Sequence, residues 1–269
     1  MGAPKASLEW HGSTLLRRTC GVLRRAGLQP VVVVRAPGQA LPPLPSDVEV
    51  VDDPREGLGP LQGMAVGLGT VAERADVAFV CSTDLPFLHA ELVHRVLRPF
   101  SEPGGDTLDV VLPVARGFPQ PLAAAYRTGL APTVAALVAA DRLRPAFVFE
   151  DAEVLRLDDD ALLADPGLRA ADPTLESVVN INEPDDYATA RARPAPRVTV
   201  ECFGVLASRA GRGPRSVHAG TVGAAARAVD LTLDRHVLAA VNGDQTSRDS
   251  ELPLLPGDTV AFLSADAGG

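Results

Sequence analysis

Apolar residues in the first part of the chain fall in short continuous runs separated by stretches of helical spacing. Residues 31–34 are four valines in a row and 77–81 read VAFVC; both predict strands buried on two faces. Residues 48–51 and 108–114 predict two more short strands. Between them the spacing changes. Ser13 precedes LLRRTCGVLRRAG, where Leu15, Leu16, Val22 and Leu23 face one way and Gly27 closes the stretch, which predicts a capped helix. Residues 61–75 and 91–97 predict further helices. Strand and helix alternating at this pitch predict an α/β fold with a doubly wound, mostly parallel sheet covered on both faces.

Past residue 106 the rhythm loosens. Residues 120–126 (QPLAAAY) predict a strand, 133–141 a helix, and 146–149 and 154–157 short extended pieces. VVNIN at 178–182 ends in asparagines before a helix opened by Pro184 and running to about residue 191. Arg-Pro-Ala-Pro-Arg at 193–197 is a stiff polar connector without apolar periodicity, so the domains are expected at 1–192 and 198–269. The second piece has a different grammar. Strands are expected at 198–203, 238–241 and 259–263, with one Ala-rich helix at 221–229 and turns at Asn242-Gly243 and Pro256-Gly257-Asp258. This predicts a small α+β domain of β-grasp pattern, a mixed sheet wrapped on one helix.

Composition sets bounds on function. With 269 residues, 46% of them apolar and 22% charged, the chain has ample core for folded domains. A formal charge of −9 argues against nucleic acid or an anionic membrane as partner, since both need clustered Lys and Arg. Cys20, Cys81 and Cys202 lack disulfide-framework or zinc spacing. No stretch reaches the roughly 20 apolar residues of a membrane span, and no basic-then-apolar leader opens the chain, so a cytoplasmic protein is expected. The five histidines stand outside metal-ligand spacing, and Asp158-Asp159-Asp160 predicts a solvated helix start.

Candidate chemistry centres on Ser82-Thr83-Asp84-Leu85-Pro86-Phe87. Asp84 stands where a parallel strand ends and a helix is about to begin, the end of an open α/β sheet at which ligands bind. A carboxylate there suits a metal ion held against phosphates; it equally suits capping of the next helix or turn.

Several segments match one family in order. Met1-Gly2-Ala3-Pro4-Lys5 resembles the end of the glycine-rich phosphate loop of sugar-nucleotidyltransferase-like enzymes, Gly59-Pro60-Leu61-Gln62-Gly63 their GPLxG turn, and Asp84 their metal-binding acid. Gln120-Pro121-Leu122 and Asn180-Ile181-Asn182-Glu183-Pro184-Asp185-Asp186 add two further matches. Together these resemble the molybdenum cofactor guanylyltransferases. The resemblance implies a nucleotide-diphospho-sugar transferase-like fold and Mg2+-dependent transfer of GMP from GTP to molybdopterin. It implies Lys5 and Asp84 as catalytic residues, with Lys5 on the β- and γ-phosphates, and Asp84 with Asn182 as metal ligands. Asp53, Gly59, Pro60 and Leu61 would bind nucleotide, and Gln120, Pro121, Asn180 and Asn182 the acceptor. Read by themselves, Lys5 is a solvated N-terminal charge and the asparagines are turn and cap residues.

The chain departs from that pattern at its start. Pro4 replaces the acid before the lysine, and the first strand and Leu-Ala-Gly-Gly loop of the family, whose N–H groups hold nucleotide, have no counterpart. Two expectations follow: the biological start lies upstream of Met1, or this domain is a non-catalytic remnant or scaffold. CTP in place of GTP is a further alternative.

Residues 198–269 resemble the sulfur-carrier small subunit of molybdopterin synthase, through Phe203-Gly204-Val205-Leu206-Ala207, Leu238-Ala239-Ala240-Val241-Asn242, Gly257-Asp258, Val260-Ala261-Phe262-Leu263 and the terminal Gly268-Gly269. The resemblance implies adenylation and then a thiocarboxylate at Gly269, with an adenylating enzyme and the synthase large subunit as partners. A side-chain-free tail threads a narrow cleft in extended form. On this reading the chain is a two-activity fusion; on the alternative it acts only as a sulfur carrier.

Overall fold

A computed structural model describes residues 4–55, 57–243 and 245–264. In chain order the elements are β1 (Glu9–Trp10), β2 (Ser13–Thr14), α1 (Leu15–Arg25), β3 (Val31–Arg35), β4 (Val48–Asp52), α2 (Gly59–Val71), β5 (Val77–Cys81), α3 (Ala90–Leu97), β6 (Val110–Ala115), β7 (Phe118–Pro119), β8 (Ala123–Arg127), α4 (Ala131–Ala139), β9 (Val154–Leu157), α5 (Asp159–Leu163), α6 (Pro166–Ala171), α7 (Pro184–Arg191), β10 (Arg197–Cys202), α8 (Val205–Ala210), β11 (Arg215–His218), α9 (Val222–Arg227), β12 (Val237–Val241), β13 (Gln245–Ser247) and β14 (Thr259–Ser264). The chain forms two compact units, Val22–Asn180 and, from two separate stretches, Met1–Gly21 with Ile181–Gly269. The division falls within the stretch 1–192 expected as one domain, and the expected connector is woven into the second unit. There Arg197 begins β10 and the Pro196 carbonyl accepts from Ala219 N–H.

In the unit Val22–Asn180, β3 and β4 form a parallel pair, Val31 opposite Val48 and Arg35 opposite Asp52. A second sheet runs β5-β8-β6-β7, with β9 also paired to β6. The expectation of a mostly parallel sheet is corrected here. β5·β8, β6·β8 and β6·β7 are antiparallel, and only β6·β9 and β3·β4 are parallel. The reason is connection length. Only residues 116–122 separate β6 from β8, too few for the crossover of a dozen or more that a parallel return requires. The reversal is made by Arg116 and Gly117, both at positive φ (55° and 84°). Residues 146–149, expected as extended, lie in a 3₁₀ turn (Pro145–Phe149) opened by Pro145.

Leu61, Met64 and Leu68 recur at helical spacing on α2 and pack with Val134 and Val138 of α4 over Val110, Leu112, Ala124 and Tyr126 of the sheet. The alternate strand positions Val111, Ala123 and Ala125 are also buried, and α3 lies against β6 and β8, so this sheet is covered on both faces.

Beyond α3, Asp165 caps α6 by accepting from Leu168 N–H at 2.9 Å and pairs with Arg98, its own side chain only 2% exposed. Burial pushes this carboxyl up, but the Leu168 N–H and the Arg98 guanidinium more than offset it and hold it below the ordinary 3.8. A depressed carboxyl contributes stability above its ordinary value that is lost as pH falls through the lower folded value. Asp165→Asn is therefore expected to cost about 1–2 kcal/mol at neutral pH. That difference should shrink towards zero in acid, as urea unfolding at pH 7 and pH 3 would show.

In the other unit a five-stranded sheet has the order β11-β10-β14-β12-β13. β10 and β14 are parallel neighbours, and the remaining pairs are antiparallel. Alternate residues Val198, Val200, Val237, Ala239, Val241, Val260 and Phe262 face one core, closed by α9 through Val222, Ala225 and Ala226. Thr221 caps α9, its side chain accepting from Ala224 N–H. Asn242 and Gly243 both adopt positive φ (56° and 85°) after β12, as expected of an Asn-Gly reversal. The same unit holds a two-residue hairpin the sequence patterning missed. His11 and Gly12, φ 48° and 101°, join β1 to β2 with Trp10 opposite Ser13.

Candidate functional site

The sheet directions in Val22–Asn180 define one chemically interesting edge. β5 and β6 both run antiparallel to β8 and β9 runs parallel to β6, so the C-terminal ends of β5, β6 and β9 share one end of the sheet with the turn that enters β8. Asp84 and Gln120-Pro121 therefore lie at the same edge, where ligands of α/β sheets bind.

Asp84 sits in the turn after β5, half-buried, with Oδ1 accepting a hydrogen bond from Ser82 Oγ. Leu85, Pro86 and Leu88 anchor that turn, the two leucines in the core and Pro86 packed down beside them. The side chain that caps α3 is His89, whose Nδ1 accepts from Glu91 N–H at 3.1 Å. Capping of the next helix therefore falls to His89. Ser82 N–H donates to the Leu122 carbonyl at 3.1 Å, joining the Asp84 turn to the Gln120-Pro121 turn. The Gln120 amide nitrogen donates to the Phe118 and Ala115 carbonyls of its own hairpin. The Pro121 carbonyl accepts from Tyr126 Oη at 2.7 Å. Tyr126 is fully buried, and burial pushes its phenol far up, so it remains a donor at any physiological pH. Sequence reasoning missed Ser82 and Tyr126. The Ser-x-Asp turn spacing was a usable signal for Ser82; nothing local marks Tyr126.

At the ends of β3 and β4, Arg35 Nε pairs with Asp52 at 2.6 Å across the strands. Asp53, next along, accepts from Arg55 N–H at 3.0 Å and donates its own N–H to the Arg35 carbonyl. Gly59 and Pro60 open α2 on the surface, Gly59 at φ 72° with open space where a Cβ would stand. Leu61 is different: its side chain is fully buried in the core, so only its backbone can meet a ligand. Asn180 is exposed at the end of this unit.

Lys5 and Asn182 belong to the other unit and lie close to one another. Lys5 Nζ donates to the Ile181 carbonyl at 2.9 Å, so the lysine is tethered to the residue preceding Asn182. α7 is capped by a reciprocal Glu183–Asp186 pair, with Asp186 also accepting from Asn182 N–H, so the Asn182 side chain is not its cap. Gly268 and Gly269 lie outside the described residues. Cys20, Cys81 and Cys202 are in no disulfide.

Among the described residues no group of three or more His, Cys, Asp or Glu is arranged to hold a metal. A hard cation bound at Asp84 would take its remaining ligands from water and substrate phosphates, which is how Mg2+ is commonly held. An anionic oxygen donor at an open strand end fits that requirement. Among the described residues no helix is long and apolar enough to cross a membrane.

The solved structures this fold resembles define the class. A molybdopterin-guanine dinucleotide biosynthesis protein A from Archaeoglobus fulgidus matches at TM-score 0.53 and 21% identity, over 71% of this chain and 90% of that one. A 2-C-methyl-D-erythritol 4-phosphate cytidylyltransferase from Thermus thermophilus matches at TM-score 0.51 and 20% identity, over 71% and 93%. The fold is thus α/β and nucleotide-diphospho-sugar transferase-like, with mixed sheets. The chain belongs to the MobA-like NTP transferase domain family, whose sequence model matches residues 1–154, and is an enzyme of the nucleotidyltransferase kind. A probable molybdenum cofactor guanylyltransferase of Mycobacterium tuberculosis is 39% identical over 160 residues, 58% of this chain and 76% of that protein. Its counterpart in Mycobacterium ulcerans is 38% identical over 169 residues, 61% and 81%.

Proposed function

We propose that this protein transfers GMP from GTP to molybdopterin, with release of pyrophosphate. The observation that carries the reading is the 39% identity to probable molybdenum cofactor guanylyltransferases, together with a family match over residues 1–154 that includes the Asp84 turn. In the reaction an oxygen of the acceptor phosphate attacks the α-phosphorus of GTP; the new O–P bond forms as the α–β bridging bond breaks and its electron pair leaves with pyrophosphate. Both reactants are anions, so the site must screen their repulsion before attack. Mg2+ held by Asp84, with water and substrate phosphates as its other ligands, would supply that screening when bound. Ser82 holds the Asp84 carboxylate in one rotamer, and Tyr126 steadies the Gln120-Pro121 turn on which the acceptor is proposed to rest. Lys5 is proposed to hold the β- and γ-phosphates as a compact charge, and Asp53 the base or ribose, with Asn180 near the acceptor and the Gly59-Pro60 turn offering backbone N–H.

A second activity is proposed for residues 198–269, favoured by the five-stranded mixed sheet with parallel β10 and β14 wrapped on α9. This arrangement suits a β-grasp carrier, and we propose that Gly269 is adenylated and converted to a thiocarboxylate for the large subunit of molybdopterin synthase.

One preparation of the full chain tests both readings. With Mg2+ and molybdopterin, pyrophosphate release is expected with GTP and much less with CTP; failure with both nucleotides leaves the carrier reading alone. Intact-mass measurement after incubation with an adenylating enzyme and a sulfur donor should show sulfur replacing one oxygen at the C-terminus, and its absence would overturn the carrier role.

A further inference from the structure

The segment that carries Lys5 is tied to the loop between β13 and β14. Arg17 of α1 pairs with Asp249 Oδ1 at 2.7 Å and with Glu251 Oε2 at 3.1 Å, its side chain only 13% exposed. Ser13 Oγ donates to the same Glu251 carboxylate at 3.0 Å. The loop that presents these acids is locked by its own backbone, since Glu251 N–H donates to Asp249 Oδ1. Behind Arg17, the buried Arg18 reaches the Leu254 carbonyl.

The approach is close enough to demand glycine. A Cβ on Gly21 would stand 2.4 Å from the Pro253 ring, and one on Gly220 would stand 2.5 Å from His11 Cβ. The absence of a side chain at each glycine lets the Pro253 ring and His11 pack directly against the backbone.

From this contact a continuous set of bonds runs back to the lysine. Leu15 N–H donates to the Leu8 carbonyl, Leu8 N–H to the Lys5 carbonyl, and Tyr187 Oη holds the Glu9 carbonyl at 2.7 Å. Lys5 Nζ ends on the Ile181 carbonyl. Ile181, Tyr187, Asp249, Glu251 and Leu254, which hold this stretch, lie beyond the 1–154 that match the transferase family.

We infer that the loop between β13 and β14 is the clamp that sets the position of Lys5, with Arg17 a positioning residue held by Asp249 and Glu251. The inference rests on the proposed phosphate-binding role of Lys5. Its consequence is that the transferase is not separable from the C-terminal part, and whatever loosens the loop around residues 249–255 weakens nucleotide handling.

Charge reversal tests it in the full chain. Arg17→Glu should speed amide exchange across residues 5–14 and raise KM for GTP roughly tenfold with kcat changed much less, in line with the coupling expected of a close charge pair. Adding Asp249→Lys and Glu251→Lys to Arg17→Glu should restore both protection and KM. Arg17→Lys, which keeps the charge and the fold, should fall between. Unchanged exchange in Arg17→Glu and in Arg17→Lys would overturn the clamp. Faster exchange with unchanged KM would overturn the positioning of Lys5. If the unaltered protein transfers no nucleotide, the functional reading fails, and the exchange data still decide the clamp.

Discussion

Asp84→Ala is expected to reduce nucleotidyl transfer by about a hundred- to a thousandfold, the scale seen when a preorganised group that stabilises transition-state charge is removed. The effect is electrostatic. Two phosphorylated reactants must approach within bonding distance, and the carboxylate at the end of β5 is the group proposed to bring a compensating cation to them. Folding should barely notice the change. Asp84 is half-buried in a turn, Ser82 donates to it, and the turn is anchored by Leu85 and Leu88 in the core. Loss of that hydrogen bond costs about 0.5–1.5 kcal/mol. Asp84→Asn separates charge from shape, because the amide oxygen can still accept from Ser82. It should be nearly as inactive as the alanine variant while unfolding like the unaltered protein. Steady-state pyrophosphate release with each variant, beside thermal unfolding, measures this; an Asp84→Asn protein that transfers GMP at the normal rate would remove the cation argument.

Phe262→Ala should produce the largest loss of stability, about 3–5 kcal/mol, as expected when a fully buried aromatic is truncated and leaves a cavity. β14 is the middle strand, paired with β10 on one side and β12 on the other, so its neighbours are pinned by ladder hydrogen bonds and cannot collapse into the space. Phe262 itself is wholly inaccessible, in one core with Val198, Val200 and the helix α9. Leu263, one residue on, points to the opposite face and is 37% exposed, so Leu263→Ala is expected to stay within about 0.5 kcal/mol. Urea unfolding of the two variants compares them directly. Equal losses would mean that the strand does not bury alternate residues as described.

Local chemistry that depends on a few neighbours was legible along the chain. The valine run of β3, the apolar run of β5, the Asn242-Gly243 reversal and the helix opened at Pro184 all follow from dihedral preference, period and the missing N–H of proline, which act within a few residues. Asp84 could be placed at a strand end for the same reason. Pairing direction could not. The antiparallel entry of β8 depends on the tight reversal at Arg116-Gly117, and a run such as QPLAAAY has no feature that states which neighbour it will join. Short pieces such as β1, β2 and β7 carry too few residues for any period to register. Partners that lie far along the chain, such as Ser82 N–H on Leu122 or Tyr126 beneath Pro121, leave no local trace.

The amino-acid order alone therefore determined the class of each long element, the acid at the tip of β5 and the motifs that resemble nucleotidyltransferases, because each is written in residues a few positions apart. Tertiary structure alone decided which strands pair in the mixed sheet, that Ser82 N–H meets the Leu122 carbonyl, and that Arg17 meets Asp249, 232 positions further along the chain, and Glu251 beside it. Such contacts arise only when loop closure and burial are settled for the whole unit at once, and no window of sequence contains both partners.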